Sequence, residues 1–189
     1  MLTFIKMKKK YEYEIEIPEG INCEFAEGNL VCKKGNTELK KDIAVPGTKM
    51  HLKDSKIVFT CNKANKKDIA IIKANAAHIK NMFGGLQEKF VYEMEICNVH
   101  FPMNVRVQDK ELVISNFLGE KINRMAKIIE GADVEIKGNK IIVSSADVEK
   151  AGQTAANIEK ASKVPKKDRR IFQDGIFITS KPGRDIWNF

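Results

Sequence analysis

Tyr11-Glu12-Tyr13-Glu14-Ile15-Glu16-Ile17 and Phe90-Val91-Tyr92-Glu93-Met94-Glu95-Ile96 are nearly the same text, written 79 residues apart. Each alternates with period two, so Tyr11, Tyr13, Ile15 and Ile17 share one face of a strand, and Phe90, Tyr92, Met94 and Ile96 share the matching face of another. The glutamates between them point the other way and read as a solvated face. A chain that writes one amphipathic strand twice, far apart, is a candidate tandem repeat.

The repeat extends outward from these strands. Ile69, Ile72, Ala76, Ile79 and Phe83 step by 3, 4, 3 and 4, which is one stripe of an amphipathic helix; Val148, Ala151, Ala155, Ile158 and Ser162 take the same steps, each 79 residues later. Asn65 is placed to cap the first helix, with Asp68 three residues on. Gly84-Gly85 is expected to stop that helix, and Pro165 to forbid long continuation of the second. Between strand and helix lie paired hairpins. Asn22 to Phe25 and Leu30 to Lys33 flank one turn, matched by Asn104 to Val107 and Leu112 to Ser115. Met50 to Lys53 and Lys56 to Cys61 flank a second, matched by Val134 to Lys137 and Lys140 to Ser144. The pattern predicts an α+β protein: a tandem duplication of a β-rich unit with antiparallel sheets, each repeat closing with one α-helix. The expected division is an N-terminal extension over 1–10, a first repeat over 11–85, a second over 86–163, and a basic C-terminal tail with a short strand over 164–189.

Charge is distributed unevenly over this plan. The chain has 189 residues and a net charge of +8. Residues 160–189 carry eight Lys/Arg against three acids, a net +5, whereas residues 85–159 carry nine against twelve, a net −3. A basic tail on a mildly acidic body attracts polyanions, above all nucleic acid. The candidate RNA-binding residues are Lys163, Lys166, Lys167, Arg169, Arg170, Phe172, Lys181 and Arg184. Arginine offers a rigid fork for phosphate and lysine a mobile point charge. Ile176-Phe177-Ile178, after Asp174-Gly175, is expected to form a strand that pins the segment while the basic loop stays in solvent. Lys33 to Lys41 reads as a second basic loop, fit either to reach a groove or to solubilise an edge. Trp187 is fit to stack on a base, but a lone terminal Trp more often packs on its own domain, which is the expectation.

Several function classes find no support. No run approaches the roughly 18 apolar residues of a membrane helix, and Met1 to Lys10 lack the apolar stretch of a signal peptide, so the reading is cytoplasmic, with no membrane partner. Cys23, Cys32, Cys61 and Cys97 form no C-x-x-C pair and read as single buried thiols on separate strands, without metal. His51, His78 and His100 have no helical partner for a metal. No nucleotide-binding glycine motif or nucleophile elbow occurs, and no catalytic constellation stands out. The expectation is no catalytic residue, no cofactor and no small-molecule substrate.

With the two-copy plan and the tail together, the chain resembles the large-subunit ribosomal protein L-six family, called L-nine in eukaryotes. The resemblance runs from about Tyr11 to Ile178. Its most specific part is the tail pattern of the archaeal and eukaryotic branch: Gln153, then Lys163, Asp168, Arg170, Phe172 and Asp174-Gly175-Ile176-Phe177-Ile178. The Tyr-x-Gly-Lys-Gly tail of the bacterial branch is absent. Met1 to Lys6 precede the family's expected start, which makes Met7 a candidate initiator. The resemblance implies a non-catalytic structural protein of the ribosome. It implies binding to large-subunit rRNA of the 23S type beside the sarcin–ricin loop, near where translational GTPases dock, with neighbouring large-subunit ribosomal proteins as further partners. Contact would come largely from the second repeat and its tail. The alternative reading is a free RNA-binding regulator or chaperone on the same scaffold.

Overall fold

The computed structural model describes residues 9–26, 28–35, 37–43, 48–53 and 55–185. The N-terminal extension up to Lys8 and the terminal Trp187 lie outside the described residues. The chain divides into two compact units, Met1–Gln87 and Glu88–Phe189.

The first unit contains β1 (Lys9–Glu16), β2 (Asn22–Ala26), β3 (Asn29–Lys34), β4 (Thr37–Asp42), β5 (Lys49–Lys53), β6 (Lys56–Ala64) and α1 (Lys66–Gln87). Its strands form two antiparallel three-stranded sheets, β1-β6-β5 and β2-β3-β4. The second unit contains β7 (Phe90–Cys97), β8 (Asn104–Gln108), β9 (Glu111–Ser115), a 3-10 turn (Phe117–Gly119), β10 (Arg124–Lys127), β11 (Asp133–Lys137), β12 (Lys140–Ser145), α2 (Val148–Ala161), β13 (Gly175–Lys181) and β14 (Arg184–Asp185). Here β8-β9-β10 form one sheet and β11-β12-β7-β13-β14 the other. The order β11-β12-β7 repeats β5-β6-β1, and β8-β9-β10 repeats β2-β3-β4. The fold is α+β with a duplicated antiparallel β-unit and one helix per copy, as the sequence pattern predicts.

The strand pattern that opens the sequence sets the inner faces. Ile15 pairs with Ile57 and Tyr13 with Phe59 in the first copy; Met94 pairs with Ile141 and Tyr92 with Val143 in the second. Glu12, Glu14 and Glu16 are exposed, and Lys56 bridges Glu14 and Glu16 at 3.3 and 3.6 Å. The helix stripes agree position by position. Ile72, Ala76, Ile79 and Phe83 are buried below a half-buried Ile69, and Ala151, Ala155, Ile158 and Ser162 are buried below a half-buried Val148. Each fully buried Ile stabilises its core by about 1.5–3 kcal/mol relative to exposure, so the stripe outweighs the modest intrinsic propensity of these residues. Asn65 caps α1: its Oδ1 accepts from the N–H groups of Lys67 and Asp68, and Asp68 accepts from Asn65 N–H in return. Asp147 does the same service for α2, accepting from Glu149 N–H at 2.9 Å.

Three expectations need correction. The helix α1 does not stop at Gly84-Gly85 but runs through both to Gln87. Each glycine costs a helix about 1 kcal/mol, but continuing the turn buries Gly85 and Leu86 beside Met82 and Phe83, which contributes more. The stretch Lys33 to Lys41 is not a loop. Lys33 and Lys34 end β3, and Lys40 and Lys41 lie within β4, in register with Val31 and Leu30; Lys33 bridges Glu38 across the ladder at 3.2 Å. The cysteines are not all single: Cys23 and Cys32 face each other across β2 and β3.

The second unit has one addition. Strand β13 pairs along β7, Ile176 with Ile96 and Ile178 with Met94, on the side away from β12. The strand expected at Ile176–Ile178 is thus longer, Gly175–Lys181, and is built into the main sheet. Ile176 is fully buried with Met94, Ile158 and Val164 in the second unit's core.

Candidate nucleic-acid interface

The candidate site is the segment between the end of α2 and the start of β13. The helix ends at Ala161, and Ser162 caps it with N–H to Ile158 O. Ser162 also fastens the far end of the segment, because its Oγ accepts from Ile176 N–H at 2.9 Å. Val164 turns into the core while Lys163, Pro165, Lys166, Lys167, Arg169 and Arg170 stay exposed. Lys166 adopts φ +55°, a left-handed conformation uncommon for a non-glycine residue. A one-turn coil follows, with Asp168 O accepting from the N–H groups of Ile171 and Phe172 at 3.1 and 2.9 Å.

Phe172 is the keystone of the segment. Its ring stacks on the imidazole of His100, centroids 4.8 Å apart and 19° from parallel. The Lys167 ammonium sits over the same ring at 4.2 Å, a cation–π contact. Next comes Asp174, whose side chain is 1% exposed. Its carboxylate accepts from Val99 N–H at 2.8 Å, His100 N–H at 2.9 Å and the His100 ring Nδ1 at 2.6 Å. Burial pushes this carboxyl up, but the hydrogen bonds from His100 and Val99 and the His100 charge outweigh burial and hold it at about 2. The Asp-Gly turn expected from sequence is therefore a buried anchor. Gly175 suits it because a Cβ there would meet Phe177 Cζ at 2.9 Å.

A second anchor comes from β10. Arg124 donates to Ala161 O at 3.1 Å and Lys163 O at 2.9 Å, forks onto Glu120 at 2.8 and 2.6 Å, and lies over the Phe117 ring at 4.0 Å. It satisfies carbonyls that the helix end leaves open. Glu120 is held below the ordinary carboxylate range by the Arg124 hydrogen bond, with the nearby charges of Arg124 and Lys167 adding to it against a burial effect that raises it.

Three loops thus share one end of the second unit: 98–103, 117–124 and 163–173. Asn116 joins the first two, donating from Nδ2 to Pro102 O at 2.9 Å. Exposed apolar side chains lie on all three, namely Val99, Phe101, Ile122 and Ile171, among Lys121 and the tail cations. A cleft of about 440 Å³ lies where α2 meets the tail, lined by Lys160, Lys163, Arg169, Phe172 and Phe177 among others. Such a surface can bind phosphate through its cations and stack or pack on sugar and base through its rings and apolar chains.

The structure brings together six of the eight residues predicted from sequence: Lys163, Lys166, Lys167, Arg169, Arg170 and Phe172. Lys181 and Arg184 are elsewhere. They pair across the β13–β14 hairpin, roughly 20 Å away at about 3.3 Å per residue of strand. Nor are the six equivalent. Arg170 is exposed but forked onto Asp168 through Nε and Nη2, at 2.7–3.2 Å, so much of its charge is already matched. Phe172 is half-buried and acts first as a wedge. The anchoring roles of Arg124 and His100 were missed by sequence reasoning, and Asp174 was read only as a turn residue and part of the tail pattern. An arginine beside a helix end 37 residues later in the chain leaves no local signal, and neither does a histidine paired with an aspartate 74 positions away. Among the described residues no group of His, Cys, Asp and Glu is arranged to hold a metal, and no helix is long and apolar enough to cross a membrane.

Residues 101–175 match the family model described as Ribosomal protein L6. The large ribosomal subunit protein uL6 of Methanococcus vannielii is 42% identical over 171 residues, covering 90% of this chain and 94% of that relative.

Proposed function

Since the chain belongs to the ribosomal protein L6 family, and so is a structural, non-enzymatic, rRNA-binding component of the large ribosomal subunit in the cytoplasm, we propose that it binds large-subunit rRNA of the 23S type through the loop 163–173. The rRNA segment is the one beside the sarcin–ricin loop, near the docking region of translational GTPases, and neighbouring large-subunit proteins complete the contact. Lys181 and Arg184 make a separate contact at the far end of β13.

One observation carries this reading. The basic loop is a short, fixed platform, with Val164, Phe172 and Asp174 turned inward and Lys163, Lys166, Lys167 and Arg169 turned out. A platform already ordered loses little entropy on binding, so its phosphate contacts convert more fully into affinity. Phosphates and RNA shape, rather than one base, are what such a surface reads.

The test is titration against an rRNA fragment at several salt concentrations. Neutralising Lys163, Lys166, Lys167 and Arg169 together should reduce the log–log salt slope by about 3, at roughly 0.7–0.9 per phosphate contact. The same number of changes at Lys63, Lys66, Lys67 and Lys73 in the first unit should leave it nearly unchanged. An unaltered slope in the folded tail variant would refute the assignment.

A further inference from the structure

We propose that Cys23 and Cys32 form a redox-modification site in the first unit, a cross-strand dithiol that a small-molecule disulfide converts into an intramolecular disulfide. The site is separate from the RNA surface and independent of that reading.

The geometry carries the proposal. Cys23 and Cys32 are directly opposed in the antiparallel ladder of β2 and β3, where facing residues project from the same side of the sheet. Opposed Cα atoms in such a ladder lie about 4.5–5.5 Å apart, inside the 4.4–6.8 Å range that disulfides occupy. The two Sγ atoms are 2.9 Å apart, roughly 0.9 Å more than the bond they would form. A small rotation of side chains closes the gap without moving either strand. Both are free thiols, and among the described residues each sulfur's hydrogen-bond partner is the other.

Access distinguishes the two. Cys32 is fully buried in the core of the first unit, which also holds Leu30, Ile15 and Phe59. Cys23 is half-buried and lines an open cleft together with Ile17, Pro18, Gly20 and Asn22. Cys23 is therefore the attacking thiol and Cys32 the resolving one. A disulfide in solution reaches the half-buried Cys23 before the fully buried Cys32, and the attacking species there is the thiolate.

The chemistry balances with one molecule of a disulfide R–S–S–R. The Cys23 thiolate attacks one sulfur, forms Cys23–S–S–R and expels R–S⁻, which takes up the proton that Cys23 released. Cys32 then attacks the Cys23 sulfur, its proton passing to the second R–S⁻ as that bond breaks. Two protein thiols are oxidised to one disulfide and R–S–S–R is reduced to two R–SH. Cys61 on β6 and Cys97 on β7 have no such partner in the ladder: Cys61 lies opposite Tyr11, and Cys97 opposite Gly175.

The experiment is incubation of the full chain with glutathione disulfide, then alkylation in denaturant and peptide mapping by mass spectrometry. The expected result is loss of two of the four thiols, a protein lighter by two hydrogens, and a cross-linked peptide joining Cys23 to Cys32, with Cys61 and Cys97 alkylated. Cys32→Ser should stop at one glutathione on Cys23, and Cys23→Ser should keep its three remaining thiols. Circular dichroism identifies a variant that fails to fold, in which case the wild-type peptide map decides alone. Retention of all four thiols in the wild type under oxidising glutathione overturns the proposal, as does a bond through Cys61 or Cys97 or between two chains.

Discussion

Asp174 accepts two backbone N–H bonds and one from the His100 ring while almost wholly removed from water, and this makes it the acid-sensitive fastening of the tail. Its folded-state pKa of about 2 lies below the ordinary 3.8. A depressed carboxylate contributes stability that is complete above its unfolded value and is lost as pH falls through its folded one. The second unit should therefore lose stability between about pH 4 and about pH 2. Asp174→Asn should cost about 1–3 kcal/mol at pH 7 and should flatten the pH dependence in that window, as measured by urea unfolding at stepped pH. A variant that retains the wild-type slope would show that other carboxylates set it. At the opposite end of the exposure scale, Asp168 holds Arg170, and the fork in turn holds the Asp168 carboxyl below its ordinary range. Asp168→Asn should free that guanidinium, tighten binding to an rRNA fragment and steepen the salt slope by up to about 1. Weaker binding in that variant would mean that the fork itself shapes the loop.

At the scale of elements, the Tyr92 side chain of β7 reaches α2 at Gly152. A Cβ on Gly152 would meet the Tyr92 hydroxyl at 2.9 Å and its ring carbon at 3.4 Å. Intrinsic propensity favours alanine over glycine within a helix by about 1 kcal/mol, but here the contact opposes it. Gly152→Ala should therefore fall short of the roughly 1 kcal/mol gain that propensity alone gives. Combining it with Tyr92→Phe removes the colliding oxygen and should recover part of that shortfall, a coupling that a double-mutant cycle measures. In the first copy the equivalent position is Lys73, exposed on α1, so this constraint belongs to the second copy alone. The C-terminus of α2 depends in the same way on β10. Arg124→Lys keeps the charge but loses the planar fork shared by Glu120, Ala161 and Lys163. It should lower thermal stability and raise amide exchange in the loop 163–173 above all.

For the whole molecule, the consequence of duplication is a division of labour. Each unit has its own core: Ile15, Leu30, Phe59 and Ile79 are among the first, and Met94, Phe117, Ile158 and Ile176 among the second. The cations assigned to RNA and every side chain that fastens them, Arg124, His100, Phe172 and Asp174 included, lie within Glu88–Phe189. A fragment of residues 88–189 should fold cooperatively by itself and retain nearly all of the salt slope of the full chain toward an rRNA fragment. The fragment 1–87 should bind with a much shallower slope. If the two halves bind equally, the RNA face is shared and the assignment to the tail loop is incomplete.

What the sequence determined by itself was periodic or local. The alternation at Tyr11–Ile17 and Phe90–Ile96 fixed the inner faces of β1 and β7, the shared helix stripe fixed which sides of α1 and α2 are buried, and Asn65 with Asp68 marked a helix start. Each of these rests on neighbours within a few residues, so a linear reading reaches them. The clustering of Lys163 to Phe172 was legible for the same reason. The rest was decided only in three dimensions. That α1 continues through Gly84-Gly85 depends on burying Leu86, and that the Lys33–Lys41 stretch forms a ladder depends on the pairing of β3 with β4. Arg124 caps a helix from another strand, and Asp174 reaches His100 across the fold. These contacts join residues that the chain separates, and their energies come from burial and from hydrogen bonds shielded from water. No single stretch of sequence contains both partners together with the surroundings that make the contact strong.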